Sequence, residues 1–131
     1  MELKIGLKIE NTMLCDETNT ATSLHSGALE VFSTPSLLTF CECSCAEAVL
    51  PYLEKGQSTV GTEVRLSHLA ATPVGMKLTL SGELTEIDRR RLKFVLEIFD
   101  EKELVGRCTH ERFIVNNEKF LAKTYEKLEN A

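Results

Sequence analysis

The sequence predicts an α+β fold in which one long helix lies across an antiparallel β-sheet and a second helix closes the chain. Three observations lead there. Apolar residues recur at helical spacing as Leu37, Leu38, Cys41, Cys45, Ala48, Val49 and Tyr52. After Gly56 the period changes to two, and several such runs follow one another across short polar turns. Consecutive strands joined by tight turns pair antiparallel, and a single buried helix has to cover one face of such a sheet.

The elements follow in chain order. Residues 2–10 alternate for most of their length and read as a strand, and residues 11–27, rich in Thr, Asn and Ser, read mostly as a loop. A loop of that length inside one domain is often functional, for instance a lid. Residues 28–33 add an early helical turn or belong to the entry loop. Thr34 is placed as the N-cap of the main helix and Pro35 at its first helical position, where a missing N–H costs nothing. Pro51 sits near the end of that helix and Gly56 closes it, giving about five turns. Strands are then expected at Thr59–Leu69, Lys77–Ile87, Arg91–Phe99 and Glu103–Val115. An amphipathic helix over Asn117–Glu129 ends the chain, with Phe120, Leu121, Tyr125 and Leu128 apolar.

Composition narrows the function. At 131 residues, the chain suits one domain, residues 1–131, with one core. The net charge of −5 argues against a nucleic-acid partner, and Arg89-Arg90-Arg91 is the only basic run. That run reads as a solvated hairpin tip, with a phosphate anchor as the lesser reading. No apolar run approaches the roughly 18 residues of a membrane span, and the first residues lack a signal-peptide profile. A cytoplasmic protein is expected, with five reduced cysteines. On a helix, Cys43 lies about 200° from Cys41 and Cys45, so the three thiols do not converge on a metal. No metal and no cofactor are expected.

One stretch carries most of the functional signal. Ser67-His68-Leu69-Ala70-Ala71-Thr72-Pro73-Val74-Gly75 puts a histidine where an alternating run gives way to a turn, so the sheet holds an ionisable group at its margin. Upstream, Thr34-Pro35 opens the helix and Glu42 follows two turns later. His68 alone reads as a structural histidine, Glu42 alone as a solvated or paired helix residue, and Thr34 as a cap.

Together with Cys41-Glu42-Cys43-Ser44-Cys45, Pro51-Tyr52-Leu53-Glu54, Val60-Gly61-Thr62 and Gly106-Arg107-Cys108-Thr109-His110-Glu111-Arg112, these segments resemble the fluoroacetyl-CoA thioesterase family. His68-Leu69-Ala70-Ala71-Thr72-Pro73 and Thr109-His110-Glu111-Arg112 are the most specific parts. The likeness runs from about residue 30 to residue 122 and is poor before Phe32. It implies the hot-dog fold, a homodimer, and hydrolysis of a short or medium acyl-CoA with water as final acceptor. It implies Thr34, Glu42 and His68 as the catalytic set and Gly61 beside the thioester. His110 and Arg112 stay outside that set, as structural residues or as holders of substrate or dimer.

Such groups suit the chemistry. Thioester hydrolysis needs water or a carboxylate to attack a carbonyl, and donors for the oxyanion that develops. Glu42 can serve as base or nucleophile, His68 can orient water or protonate the leaving thiolate, and Thr34 can hydrogen-bond carboxylate or substrate. Helix N-terminal N–H groups are natural oxyanion donors. Pro35 removes one of them, which leaves the N–H of Ser36 as the substrate-binding donor. Coenzyme A phosphates would suit Arg65, Lys77 and Arg89 to Arg91. The residues ahead of the helix, Leu24-His25-Ser26-Gly27-Ala28-Leu29, carry no aromatic pair for a tight lid, so selection for a fluorinated acyl group is not carried over from the resemblance. The rival reading is a hot-dog dimer that binds acyl-CoA without turnover; a hydratase of the same fold ranks last, since its motifs are missing.

Overall fold

The computed structural model describes residues 2–129. The chain runs β1 (Lys8–Leu14), α1 (Thr34–Val49), a 3-10 turn (Leu50–Tyr52), β2 (Gln57–His68), β3 (Lys77–Asp88), β4 (Arg91–Phe99), β5 (Leu104–Asn116) and α2 (Asn117–Glu129). The five strands form one antiparallel sheet in the order β1-β3-β4-β5-β2. It curls around α1, whose Leu37, Phe40, Cys41, Cys45 and Val49 meet Leu80, Phe94, Leu96 and Cys108 in a continuous aliphatic core. The fold class agrees with expectation.

Several boundaries do not. The first strand begins at Lys8 rather than Glu2, because Gly6 adopts a left-handed φ of 98° and turns the chain just before it. It then runs on to Leu14 through residues expected to be loop. Asn11 masks the alternation there: it points inward, and its amide donates to Ser44 Oγ on α1 at 3.0 Å.

The main helix also starts and stops differently. Ser33, not Thr34, is the N-cap, because its Oγ accepts the N–H of Ser36 at 3.1 Å. Thr34 and Pro35 become the first two helical residues. At the other end Pro51 supplies no N–H, so the α-helix stops at Val49 and tightens into the 3-10 turn. The helix is therefore 16 residues, shorter than expected.

The inward alternation of β2 is interrupted once. Its ladder to β5 pairs Gly61 with Arg112 and then Glu63 with Glu111, leaving Thr62 as an extra, bulged residue. In an unbulged strand, Gly61 and His68, seven positions apart, would point to opposite faces of the sheet. With the bulge, both face α1.

β2 lies at one edge of the sheet and pairs with β5 on one side only. α2 follows β5 without a loop, tied to the start of β2 by Asn117 N–H to the Gly56 carbonyl and by Ser58 to the Asn117 side chain. Its Phe120, Leu121, Tyr125 and Leu128 are all exposed in the single chain. The expected stripe exists, but none of the described residues buries it.

Candidate active site

Two clusters of polar side chains lie on the α1 side of the sheet. The first joins the start of α1 to the end of β2. Thr34 Oγ1 and His68 Nδ1 are 2.8 Å apart. His68 Nε2 is buried and has no hydrogen-bond partner, and it is the only such side-chain atom among the described residues. A buried polar atom without a partner is costly, so its presence marks a place where a ligand can supply one. Burial lowers the His68 pKa, partly offset by the Ala70 backbone, which favours the neutral ring. An open cleft of about 270 Å³ lined by Val31, Phe32, Leu69, Ala70 and Ala71 lies beside it.

The second cluster is centred on Glu42, two turns further along α1. Its Oε2 lies 3.6 Å from Nη1 of Arg112 on β5. Arg112 has a side chain only 8% exposed, against 40% for Glu42. Three acceptors fix the guanidinium plane: Thr59 Oγ1 at 2.7 Å from Nε, the Thr59 carbonyl at 3.0 Å from Nη2, and His110 Nε2 at 3.1 Å from Nη1. Bound this way, the fork turns one Nη1 edge toward the carboxylate.

Gly61 forms the floor. A Cβ there would stand 2.7 Å from Glu42 Oε2 and 3.3 Å from both Arg112 Nη1 and His110 Cε1. The Glu42 carboxylate is the flexible partner, so Gly61→Ala is expected to push it aside at little cost to stability, under about 1 kcal/mol. With Glu42 in the role the resemblance implies, turnover is expected to fall roughly 100-fold, the scale of effect of misplacing a group by an ångström. Thermal unfolding and steady-state rates on the same sample separate the two quantities.

The clusters do not meet within one chain. Thr34 and Glu42 are eight residues apart on α1, about 12 Å along its axis. Gly61 and His68 are seven apart on β2, roughly 20 Å. The carboxylate beside Gly61 therefore cannot reach the imidazole beside Thr34. Structure thus pairs Thr34 with His68, and Gly61 with Glu42, as two separate clusters.

Ser36 belongs to neither. Its N–H is already donated to Ser33 Oγ, and its own hydroxyl accepts from the same Ser33 side chain at 2.7 Å. The oxyanion role expected of that N–H conflicts with the cap it completes. Arg112 is the residue the sequence reading left aside. The signal was available, since Gly106, Cys108, His110 and Arg112 alternate along β5 and share its inward face. Arg91 is likewise engaged rather than free for phosphate, through Glu111 and Glu86.

Comparison with known proteins decides the family. The model of the family described as fluoroacetyl-CoA-specific thioesterase matches residues 15–118. The chain belongs to that family. It is an acyl-CoA thioesterase of hot-dog fold. A fluoroacetyl-CoA thioesterase of Streptantibioticus cattleyicolor is 39% identical over 98 residues, covering 75% of this chain and 70% of that protein. A crystal structure of the fluoroacetyl-CoA thioesterase FlK superposes with a TM-score of 0.92 at 31% identity, over 97% of this chain and 98% of that one. A variant of that enzyme solved with fluoroacetate and CoA gives 0.86 at 31%, over 90% and 99%. A thioesterase superfamily member from Thermus thermophilus shares the fold alone, with a TM-score of 0.88 at 21% identity over 97% and 94%. No helix among the described residues is long and apolar enough to cross a membrane.

Proposed function

We propose that the enzyme hydrolyses short or medium acyl-CoA thioesters in a site assembled by two copies of the chain. The observation that carries this reading is the separation of Glu42 from His68. Each half-site contains what the other lacks: a carboxylate held by Arg112 in one, an imidazole with an unpartnered nitrogen in the other.

The unpaired edge of β2 offers a way to join them. An exposed 12-residue edge strand is a ready template for a second strand. Antiparallel pairing of two β2 strands about a two-fold axis near Val64 and Arg65 would set Gly61 opposite His68 of the partner subunit. The uncovered apolar stripe of α2 supports the same homodimer, since a 13-residue helix is marginal without a packing surface.

In the assembled site, Glu42 draws a proton from water, which attacks the thioester carbonyl, or attacks it directly to form a mixed anhydride that water then hydrolyses. The C–S bond then breaks, and CoA leaves as a thiolate that accepts a hydrogen bond from Nε2–H of His68 of the partner subunit and takes up the proton released by the water. For that, the Thr34 hydroxyl of the same subunit donates to Nδ1 and holds the ring as the Nε2–H tautomer. Arg112 keeps the carboxylate in place between turnovers.

Release of CoA thiol from a panel of acyl-CoA substrates tests the reading, against a protein-only blank because the chain has five cysteines of its own. Turnover concentrated on short or medium chains supports it. The competing view, binding without hydrolysis, rests on the helix start, where Pro35 has no N–H and Ser36 N–H is capped. Calorimetric binding of acyl-CoA with no thiol released on any chain length would establish that view instead.

A further inference from the structure

Four side chains account for the second half-site, yet the most deeply buried of them has no part in the chemistry above. His110 is 1% exposed, on the inward face of β5, with its ring stacked against Phe94 at a centroid distance of 6.2 Å. Its Nδ1 lies 2.8 Å from the Glu63 carbonyl and its Nε2 lies 3.1 Å from Arg112 Nη1.

The two partners fix its state. A guanidinium has only donors, so Nε2 must be the lone-pair acceptor. A carbonyl can only accept, so Nδ1 must carry the proton. One neutral tautomer satisfies both, and the doubly protonated ring would set an N–H against an N–H. The carbonyl it uses belongs to the residue just after the bulge in β2, where a local kink re-aims backbone groups.

We propose that His110 is a positioning residue for thioester hydrolysis: locked as the Nδ1–H tautomer between the Glu63 carbonyl and Arg112, it aims the guanidinium that holds Glu42. The chain of contacts runs from bulge to imidazole to guanidinium to carboxylate, and only the last member meets substrate. The inference rests on the thioesterase reading above but names a residue that reading does not need. The groups that face the ring are Arg112 from β5, Glu42 from α1 and the Glu63 backbone from β2, and the outward Glu111 acts on it through charge alone. Burial and the Arg112 charge lower its pKa, and the carboxylates oppose that without reversing it.

Two measurements judge it. Long-range ¹H–¹⁵N NMR of the wild-type protein, assigned with His110→Gln, reads the tautomer directly. The expected result is a neutral Nδ1–H ring that does not titrate near the usual histidine value of about 6.5. An Nε2–H ring, or ordinary titration, overturns the proposal. Kinetics then compare His110→Phe, which fills the space without an acceptor, with His110→Gln, whose amide oxygen can accept from Arg112. In the phenylalanine variant kcat is expected to fall about 10- to 100-fold with KM little changed, the scale seen when an outer partner of a functional group is removed. The glutamine variant is expected to recover most of that loss. Equal losses in the two folded variants would make the ring mere packing. A wild type that turns over no acyl-CoA sinks the thioesterase reading, whereas an active wild type with the wrong tautomer sinks only this one.

Discussion

Chains carrying Glu42→Gln are expected to lose about 1,000-fold in kcat, and mixing them with His68→Ala chains is expected to restore about one quarter of the wild-type rate. Glutamine keeps the shape of Glu42 and can still meet Arg112, but its amide cannot take a proton from water or attack a thioester. The His68→Ala chain loses the imidazole that faces the leaving sulfur and keeps its own Glu42. In a mixed dimer one site contains both lesions and the other contains neither. Random exchange makes about half of all dimers mixed, each with one good site of two, which gives the quarter. If both groups acted within one chain, every chain in the mixture would be defective and no rate would return. Subunit exchange is verified with differently tagged chains, so absence of restoration with proven mixing places the site inside a single protomer.

Arg112→Met is expected to cost both stability and activity. Methionine roughly matches the length of arginine but leaves the Thr59 hydroxyl and carbonyl, His110 Nε2 and the Glu42 carboxylate without their donor. Removing one partner from a buried charge network destabilises by about 3–5 kcal/mol. The lower end applies, because Glu42 is partly exposed and can turn to water. For a chain of this size that is a fall in Tm of roughly 10 °C. Activity is expected to fall further than stability explains, at temperatures where the variant is still folded. Arg112→Lys keeps the charge and loses the fork, so it should land between the two. A methionine variant as stable as wild type would show that the guanidinium does not bind the start of β2 to β5.

Much of the fold could be read from residue order, for reasons that also explain the failures. β4 was plain because Leu92, Phe94, Leu96 and Ile98 alternate without interruption and all are buried. The inward side of β1 was not, because Asn11 occupies a core-facing position and its partner Ser44 lies 33 residues away. Ser33 and Thr34 are both good capping types, and only backbone geometry decides which oxygen meets Ser36 N–H. In the site, Thr34, Glu42, His68 and Gly61 came from likeness to a family rather than from any local pattern. Their grouping into two separate pairs could not be seen at all, since it depends on how β2 is laid along α1. Arg112 was within reach, because the parity of β5 already turned it inward beside Cys108 and His110.

The extra residue at Thr62 works like a shift of reading frame. Ahead of it in β2, every side chain holds the facing it has only because the bulge takes that one residue out of the ladder. A chain that threaded Thr62 into the ladder as an ordinary residue could still close the same five-stranded sheet, yet Gly61 would be turned away and a bulkier side chain set against Glu42 and Arg112. Lengthening the loop over residues 15–33 would touch neither pair. Along β2, tolerance to insertion and deletion is therefore set less by how exposed a segment is than by whether candidate site residues lie on both sides of it in one strand.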